Sequence, residues 1–95
     1  MVCRRLLISG KVQGVSFRFH TCELATKLKL MGFVRNLPDG RVEILVAGPL
    51  KNVEQLADWA KLGPSEGKVK NVEISEVTCD IPTELFYIRR EGGTP

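Results

Sequence analysis

The chain has 95 residues, which suits one domain that buries somewhat more than ~60% of the surface its unfolded chain would expose. Its 14 basic and 11 acidic residues are interspersed and give a net charge of +3, which favours small anionic ligands only weakly and argues against a nucleic-acid-binding stripe. Nothing in the sequence resembles a linker, a repeat, a signal peptide or a membrane span. We therefore expect residues 1–95 to form a single domain in the reduced environment of the cytoplasm.

The N-terminal end predicts a strand followed by a helix. Apolar and polar residues alternate along the first segment as in a half-buried strand, and the apolar members are Leu6, Ile8 and Val12. From Arg18 onward the spacing becomes helical, with a buried stripe formed by Thr21, Leu24, Ala25, Leu28 and Met31. Gly32 is the expected C-cap of this helix. Residues 13–17 must therefore turn the chain between the two elements.

The loop between them has the composition of an anion site. Its residues are Gln13, Gly14, Val15, Ser16 and Phe17. Gly14 permits backbone angles and a close approach that a side chain would block, so successive amides can point at one oxyanion beside the helix N-terminus. Arg18 then supplies a planar fork of donors and a permanent charge. We expect this loop, together with Arg18, to bind phosphate.

A hairpin follows the first helix and is the clearest local prediction. Residues 33–37 form the second predicted strand, and the Pro-Asp-Gly sequence of residues 38–40 forms the turn. Residues 41–47 form the third strand, whose expected inward side chains are Val42, Ile44 and Val46.

The second half predicts a helix and two more strands. Asn52 is the expected N-cap, and Gly63 and Pro64 end the helix. Its buried stripe consists of Val53, Leu56, Ala57 and Ala60. Residues 68–79 form the fourth strand, in which a change of phase after Ile74 indicates a bulge or a bend. Residues 85–89 form a short last strand, and residues 91–95 form a loose tail.

The cysteines lack the paired spacing of a zinc ribbon and cannot all pair within the chain. We expect buried or idle thiols at Cys3, Cys22 and Cys79. No cluster of carboxylates, histidines or cysteines has the spacing of a metal site, so neither a metal nor another cofactor is expected.

This order of elements is β-α-β-β-α-β with a short extra strand, which is the ferredoxin-like split βαβ plan of the α+β class. Both helices then cover one face of a mainly antiparallel sheet. Strand three lies between the parallel strands one and two as the antiparallel partner of both. The ends of strands one and two therefore open on the same edge, which predicts that the loop of residues 13–18 lies near Asn36.

Water is the expected nucleophile for a phosphoryl group held in this loop. A cysteine phosphatase needs a thiolate six residues before its arginine, where Val12 stands, and the residues of a Walker loop are absent around Gly10 and Lys11. Asn36 can hold a water in line with the phosphorus but cannot act as a strong base. Such a site breaks only a labile bond, such as that of an acyl phosphate, whose carboxylate leaves without a general acid.

Two separated stretches resemble the acylphosphatase family. Residues 10–18, G-K-V-Q-G-V-S-F-R, match its first motif G-x-V-Q-G-V-x-F-R at every fixed place, and residues 32–43 are similar to its G-aromatic-x-x-N…DG-x-V-E. Less specific matches follow at residues 63–64 and 86–89. The resemblance implies metal-free hydrolysis of acyl phosphates to carboxylate and inorganic phosphate, with Arg18 binding phosphate and Asn36 orienting water. Lys29 departs from the family, because many relatives have glycine at this position.

A phosphate-binding or acyl-phosphate-binding module without turnover is the main alternative, since the same loop can capture its ligand as a sensor. An asparagine facing the loop is expected for catalysis and unnecessary for capture, which favours the enzyme. An RNA-recognition domain shares the topology but needs stacking aromatics on its central strands, and residues 42–45 of strand three supply none. We therefore expect a monomeric enzyme that acts on a small acyl phosphate and binds neither nucleic acid nor a membrane.

Overall fold

Five strands in one sheet and two helices make up the part of the chain that the computed structural model describes, residues 1–78 and 85–89. In chain order the elements are β1 (Val2–Lys11), α1 (Phe17–Lys27), β2 (Met31–Asn36), β3 (Val42–Gly48), α2 (Leu50–Leu62), β4 (Lys68–Glu76) and β5 (Tyr87–Ile88). Neither of these helices is long and apolar enough to cross a membrane. The tail expected at residues 91–95 lies outside the described residues.

The strand order is β4-β1-β3-β2-β5. β3 pairs antiparallel with β1 on one side and with β2 on the other, so β1 and β2 run parallel and α1 is the crossover between them. β4 pairs antiparallel with the outer side of β1, and β5 pairs parallel with the outer side of β2. The predicted ferredoxin-like split βαβ plan of the α+β class is therefore confirmed. Because β1 and β2 are parallel, the segments that follow them leave the sheet at the same edge.

The core lies between the sheet and the two helices. Alternate residues of the inner strands face the helices and are fully buried, namely Leu6, Ile8, Val34, Val42, Ile44 and Val46. α2 contributes its predicted stripe, Val53, Leu56, Ala57 and Ala60. α1 buries Phe17, Thr21 and Ala25. The rings of Phe17 and Trp59 lie with their centroids 5.2 Å apart, so the first turn of α1 is packed directly against α2.

α1 ends earlier than predicted, and Lys29 takes part in the capping motif at its C-terminus. The Leu30 amide donates to the Ala25 carbonyl at 2.9 Å, and the Lys29 amide donates to the Thr26 carbonyl at 3.1 Å. This pair of hydrogen bonds is a Schellman motif, whose C′ residue must adopt the left-handed conformation. Lys29 occupies that position with a φ of 57°. A lysine therefore stands where the backbone favours glycine.

Two capping roles predicted from the sequence are wrong. Gly32 lies inside β2 with a φ of 127°, and a Cβ there would come within 1.8 Å of the Leu45 carbonyl oxygen, so the close approach of β3 requires glycine. α2 begins at Leu50, and Pro49 is its N-cap. The Asn52 side chain instead donates to the Leu28 carbonyl at 3.0 Å. Asn52 thus connects α2 to the end of α1.

The irregularity in β4 lies nearer to its start than predicted. The register pairs Ser9 with Asn71 but Gly10 with Val69, which leaves one extra residue on β4 at this point. Ile74 stays in regular register with β1. The bulge expected after Ile74 is therefore wrong in position, although the strand does contain one.

The cysteines differ from one another in their chemistry. Cys3 forms a disulfide bond, so the expectation of an idle thiol is wrong for this residue. Cys22 carries a free thiol, is half-buried on α1 and donates to the Phe86 carbonyl at 3.6 Å. Cys79 lies outside the described residues.

Candidate active site

The loop between β1 and α1 keeps its amides free. Gly14 and Ser16 adopt the left-handed conformation with φ of 75° and 62°, and Ser16 is the N-cap of α1. A Cβ at Gly14 would meet no atom within 4 Å, so this residue leaves open space beside the backbone. Within the described residues, the amides of residues 14–19 donate no hydrogen bond to a protein acceptor. Free amides in this conformation at a helix N-terminus form a concave set of donors that favours an anion.

Gln13 braces this loop against the β2–β3 turn. Its side-chain amide donates to the carbonyl oxygens of Leu37 and Arg41, both at 2.9 Å. These two residues flank the turn that immediately follows Asn36. The Gln13 side chain is therefore occupied by the protein itself, and only its backbone amide is free to contact an anion. No sequence pattern pointed to this connection, because its two ends lie far apart along the chain.

One cavity of about 350 Å³ lies at the edge of the sheet where β1 and β2 end. Its walls include Gly14, Ser16, Arg18, Phe19, Asn36 and Ile88. The fold thus brings Asn36 and the loop together around one space. Phe17 also lines it, whereas Val15 is packed into the core and is only 7% exposed. The sequence did not point to Phe19 and Ile88, although Phe19 directly follows Arg18.

Arg18 offers its charge to this cavity. It lies in the first turn of α1, half-buried, and forms no hydrogen bond or ion pair with any described residue. The burial of the neighbouring Phe17, which is 1% exposed, fixes the direction of the helix start. A permanent cation and the helix N-terminus therefore act on the same space, and both favour an anion.

Asn36 presents an acceptor without a donor. Its Oδ1 atom is buried and accepts no hydrogen bond from any described residue. A buried acceptor left without a donor costs about 1–3 kcal/mol, so such atoms in native proteins generally meet a water or a ligand. The backbone of Asn36 is held by its pairing with Val42 in the β2–β3 ladder. A rigid strand end thus holds Asn36, with its unsatisfied acceptor, in the wall of the cavity that Arg18 also lines.

The titratable side chains of Glu43 and His20 interact with other side chains of the protein. The Glu43 carboxylate accepts hydrogen bonds from Arg5 and Arg35 and joins β1, β3 and β2. Burial acts to raise the pKa of Glu43, but the hydrogen bonds and charges of the two arginines outweigh it and hold this pKa below 4.5. His20 Nδ1 lies 3.8 Å from a Glu23 carboxylate oxygen, and His20 does not line the cavity. The described residues contain no group of three or more metal-ligating side chains.

An arginine, free amides at a helix N-terminus and an asparagine acceptor around one cavity define a small α+β domain that binds an oxyanion such as phosphate. The model of the acylphosphatase family matches residues 4–88. The acylphosphatase of Alkalilimnicola ehrlichii is 49% identical over 85 residues, which are 90% of this chain and 94% of that protein.

Solved structures agree with this match. The crystal structure of the Bacillus subtilis acylphosphatase has a TM-score of 0.86 at 35% identity, over 94% of this chain and 99% of that one. The Coxiella burnetii acylphosphatase has a TM-score of 0.87 at 35% identity, over 93% of this chain and 92% of that one. The chain belongs to the acylphosphatase family, and it is an enzyme that hydrolyses acyl phosphates.

Proposed function

We propose that this enzyme breaks the carboxyl-phosphate bond by direct attack of water, with Arg18 and the loop amides holding the phosphoryl group and Asn36 orienting the water. One observation supports this most strongly. Asn36, whose buried Oδ1 acceptor has no donor among the described residues, lines the same cavity as Arg18, which pairs with none of the described residues either. A site for simple capture of phosphate needs donors and has no use for an acceptor at this point.

Phosphate binding is the first step. The phosphoryl oxygens accept hydrogen bonds from the amides of residues 14–18, and the guanidinium of Arg18 binds two of them in parallel. The cluster of free amides and the permanent charge need no reorganisation when the reaction begins. They therefore stabilise the negative charge that is spread over the equatorial oxygens of a loose transition state.

Water attack is the second step. Asn36 accepts a hydrogen bond from the water and holds it in line with the phosphorus, which supplies positioning and no base catalysis. The proton of the water passes to a phosphate oxygen of the substrate. The electron pair of the breaking bond leaves with the carboxylate, which is too weakly basic to need a proton at that moment. The products are a carboxylate and inorganic phosphate.

Metal independence follows from the same account, because Arg18 and the amides supply the charge stabilisation. The enzyme is expected to retain its rate of benzoyl phosphate hydrolysis when a chelator is present. Loss of activity with the chelator, and its recovery on adding a divalent cation, would contradict this.

Two variants test the roles of the site residues. Arg18→Lys keeps the charge but loses the two-pronged donor geometry, so kcat/KM for benzoyl phosphate should fall about 100-fold. The matched control is Arg4→Lys, because Arg4 lies near the other end of β1 and does not line this cavity. Near-normal turnover in Arg18→Lys would reject its role.

Asn36→Ala should lower kcat about 100-fold, while the inhibition constant of inorganic phosphate changes far less. Asn71→Ala is the control, since Asn71 is exposed on β4. If Asn36→Ala weakens phosphate binding and leaves kcat intact, Asn36 is a binding or structural residue and does not orient the water.

Residues 1–95 are expected to act as one monomeric, cytoplasmic domain that engages neither nucleic acid nor a membrane. Sedimentation at micromolar concentration tests the monomer. The disulfide at Cys3 is a feature more typical of oxidising compartments, so the redox state of Cys3 tests the location. If the protein is cytoplasmic, thiols trapped in intact cells show Cys3 reduced despite the disulfide in this structure, whereas an oxidised Cys3 in that experiment would contradict a cytoplasmic location.

A further inference from the structure

A second cavity continues from the phosphate cavity along α1. It measures about 380 Å³ and is lined by Phe19, Cys22, Glu23, Thr26, Lys27 and Ile88. Phe19 and Ile88 line both cavities. The two spaces are therefore neighbours that share a pair of apolar side chains in their walls, one from the first turn of α1 and one from β5. We call the second space the α1–β5 groove.

The end of this groove next to the phosphate cavity is apolar. Phe19 and Cys22 are three residues apart on α1, so their side chains lie on one face of the helix with a rise of about 4.5 Å between them. Ile88 faces them from β5 and packs against the core. The charged members of the wall, Glu23 and Lys27, follow one and two turns further along the helix. Apolar contact is thus available at the part of the groove nearest to the phosphate cavity.

Phe19 is the exposed member of this pair. It is 58% exposed, although it lies at the mouth of a cavity lined by Arg18 and Asn36. A single exposed apolar residue is ordinary on a protein surface, but here it forms the wall shared by two cavities. Its ring meets that of His20 at a centroid distance of 5.4 Å, and the rest of it is open to a ligand.

We propose that the α1–β5 groove binds the acyl group of the substrate, and that Phe19 and Ile88 make the enzyme favour aromatic or branched apolar acyl groups over small ones. This proposal rests on the proposed function, because it requires the phosphoryl group to lie in the adjacent cavity. The carboxyl carbon of a bound acyl phosphate is directly joined to the phosphoryl group through one oxygen. Its substituent therefore begins three bonds from the phosphorus, and the groove is an apolar space beside the phosphate cavity that can receive it.

The contact with Phe19 is the same before and during bond cleavage, because the acyl group remote from the phosphorus changes little. Such uniform binding lowers KM and leaves kcat unaltered. The inferred specificity is therefore a difference in KM between substrates. The chemical machinery of Arg18 and Asn36 treats both kinds of substrate alike.

The test compares benzoyl phosphate with acetyl phosphate in the wild type and in Phe19→Ala. The ratio of kcat/KM for benzoyl over acetyl phosphate should fall about 10-fold in Phe19→Ala, through the KM of benzoyl phosphate. Phe19→Leu should keep most of the ratio. The control is Leu62→Ala, which removes an apolar side chain that is 77% exposed at the end of α2, and it should leave the ratio unchanged.

A second readout does not depend on turnover. Benzoylphosphonate and acetylphosphonate lack the bridging oxygen, because their carbonyl carbon is bonded directly to phosphorus, and they have no carboxyl-phosphate bond to hydrolyse, so their inhibition constants measure binding alone. Phe19→Ala should weaken benzoylphosphonate about 10-fold relative to acetylphosphonate. An equal loss for both phosphonates, or no loss for either, would overturn the acyl subsite.

These results separate the two proposals. If Phe19→Ala changes both substrates equally while Arg18→Lys and Asn36→Ala behave as expected, only the subsite is wrong. If Arg18→Lys and Asn36→Ala both retain normal turnover while the phosphonates still discriminate through Phe19, the proposed mechanism is wrong and the groove stands.

Discussion

Gln13 is the residue whose replacement best tests how this fold positions its site. Gln13→Ala removes two hydrogen bonds of 2.9 Å, which join the loop between β1 and α1 to Leu37 and Arg41. Each such bond contributes about 1 kcal/mol net. Both acceptor residues are half-buried, and the Arg41 carbonyl also accepts from the Leu37 amide at 2.8 Å, so neither carbonyl is left fully unsatisfied. The free energy of unfolding should therefore fall by about 1–2 kcal/mol.

For a domain of this size, that loss lowers the melting temperature by about 5–10 °C, which calorimetry resolves easily. The activity should fall for a different reason. Asn36 immediately precedes Leu37, so loss of the brace lets the water-orienting amide and the loop move relative to each other. A misplacement of about 1 Å can cost as much as 100-fold in rate, whereas Arg18 and the loop amides still bind phosphate. We expect kcat to drop well beyond any rise in the inhibition constant of phosphate.

The control is Gln55→Ala, which removes the same kind of side chain from an exposed position of α2. Gln13→Glu should be worse than Gln13→Ala, since a carboxylate offers no donor to two carbonyl oxygens. The reasoning is refuted if Gln13→Ala melts like the wild type and binds phosphate as poorly as Arg18→Lys. That outcome would mean that the Gln13 side chain contacts the ligand.

Two further substitutions test interactions that stabilise the fold. Lys29→Gly removes the strain of a left-handed lysine, which is about 1–2 kcal/mol, but it also increases the chain entropy of the unfolded state. The free energy of unfolding measured by calorimetry should therefore rise by about 0.5–1 kcal/mol. A lower free energy of unfolding would contradict the Schellman assignment. Glu43→Gln should cost about 2 kcal/mol, because the Glu43 side chain is 6% exposed while Arg5 and Arg35, at 41% and 28%, can regain water. Since the pKa of Glu43 is lower in the folded state than 4.5, its stabilisation is complete above about pH 5 and is lost as the pH falls through the folded value. Denaturant titrations should therefore show the gap between wild type and Glu43→Gln closing in acid, and a gap that widens there would reverse the assigned sign.

The order of strands and helices was predictable because burial of one face of the sheet requires apolar and polar residues to alternate along each strand. Val42, Ile44 and Val46 alternate for this reason, and all three are fully buried. The order of strands and helices then makes β1 and β2 parallel, so their ends lie at the same edge of the sheet. This parallel arrangement predicts that the loop of residues 13–18 lies near Asn36.

The errors concern groups whose partners are distant along the chain. Asn52 has the chemistry of an N-cap, but its side chain binds a carbonyl 24 residues away. Gly32 follows a helix as a C-cap would, yet what requires glycine there is the approach of β3. Lys29 is a local exception, because its left-handed conformation belongs to the Schellman motif that ends α1. Local patterns cannot report such long-range demands.

The same geometry limits which bonds this site can break. Asn36 has no titratable proton, Arg18 remains charged at any ordinary pH, and His20 does not line the cavity. None of the three can donate a proton to a leaving alkoxide, so a phosphate ester gains only the binding and the charge stabilisation. A leaving carboxylate needs no such donor and therefore receives the full benefit of the site. Because the described residues that line the cavity include no carboxylic acid, histidine or lysine, the proposed mechanism predicts selectivity for acyl phosphates over phosphate esters, and the proposed subsite assigns selection among acyl phosphates to Phe19 and Ile88.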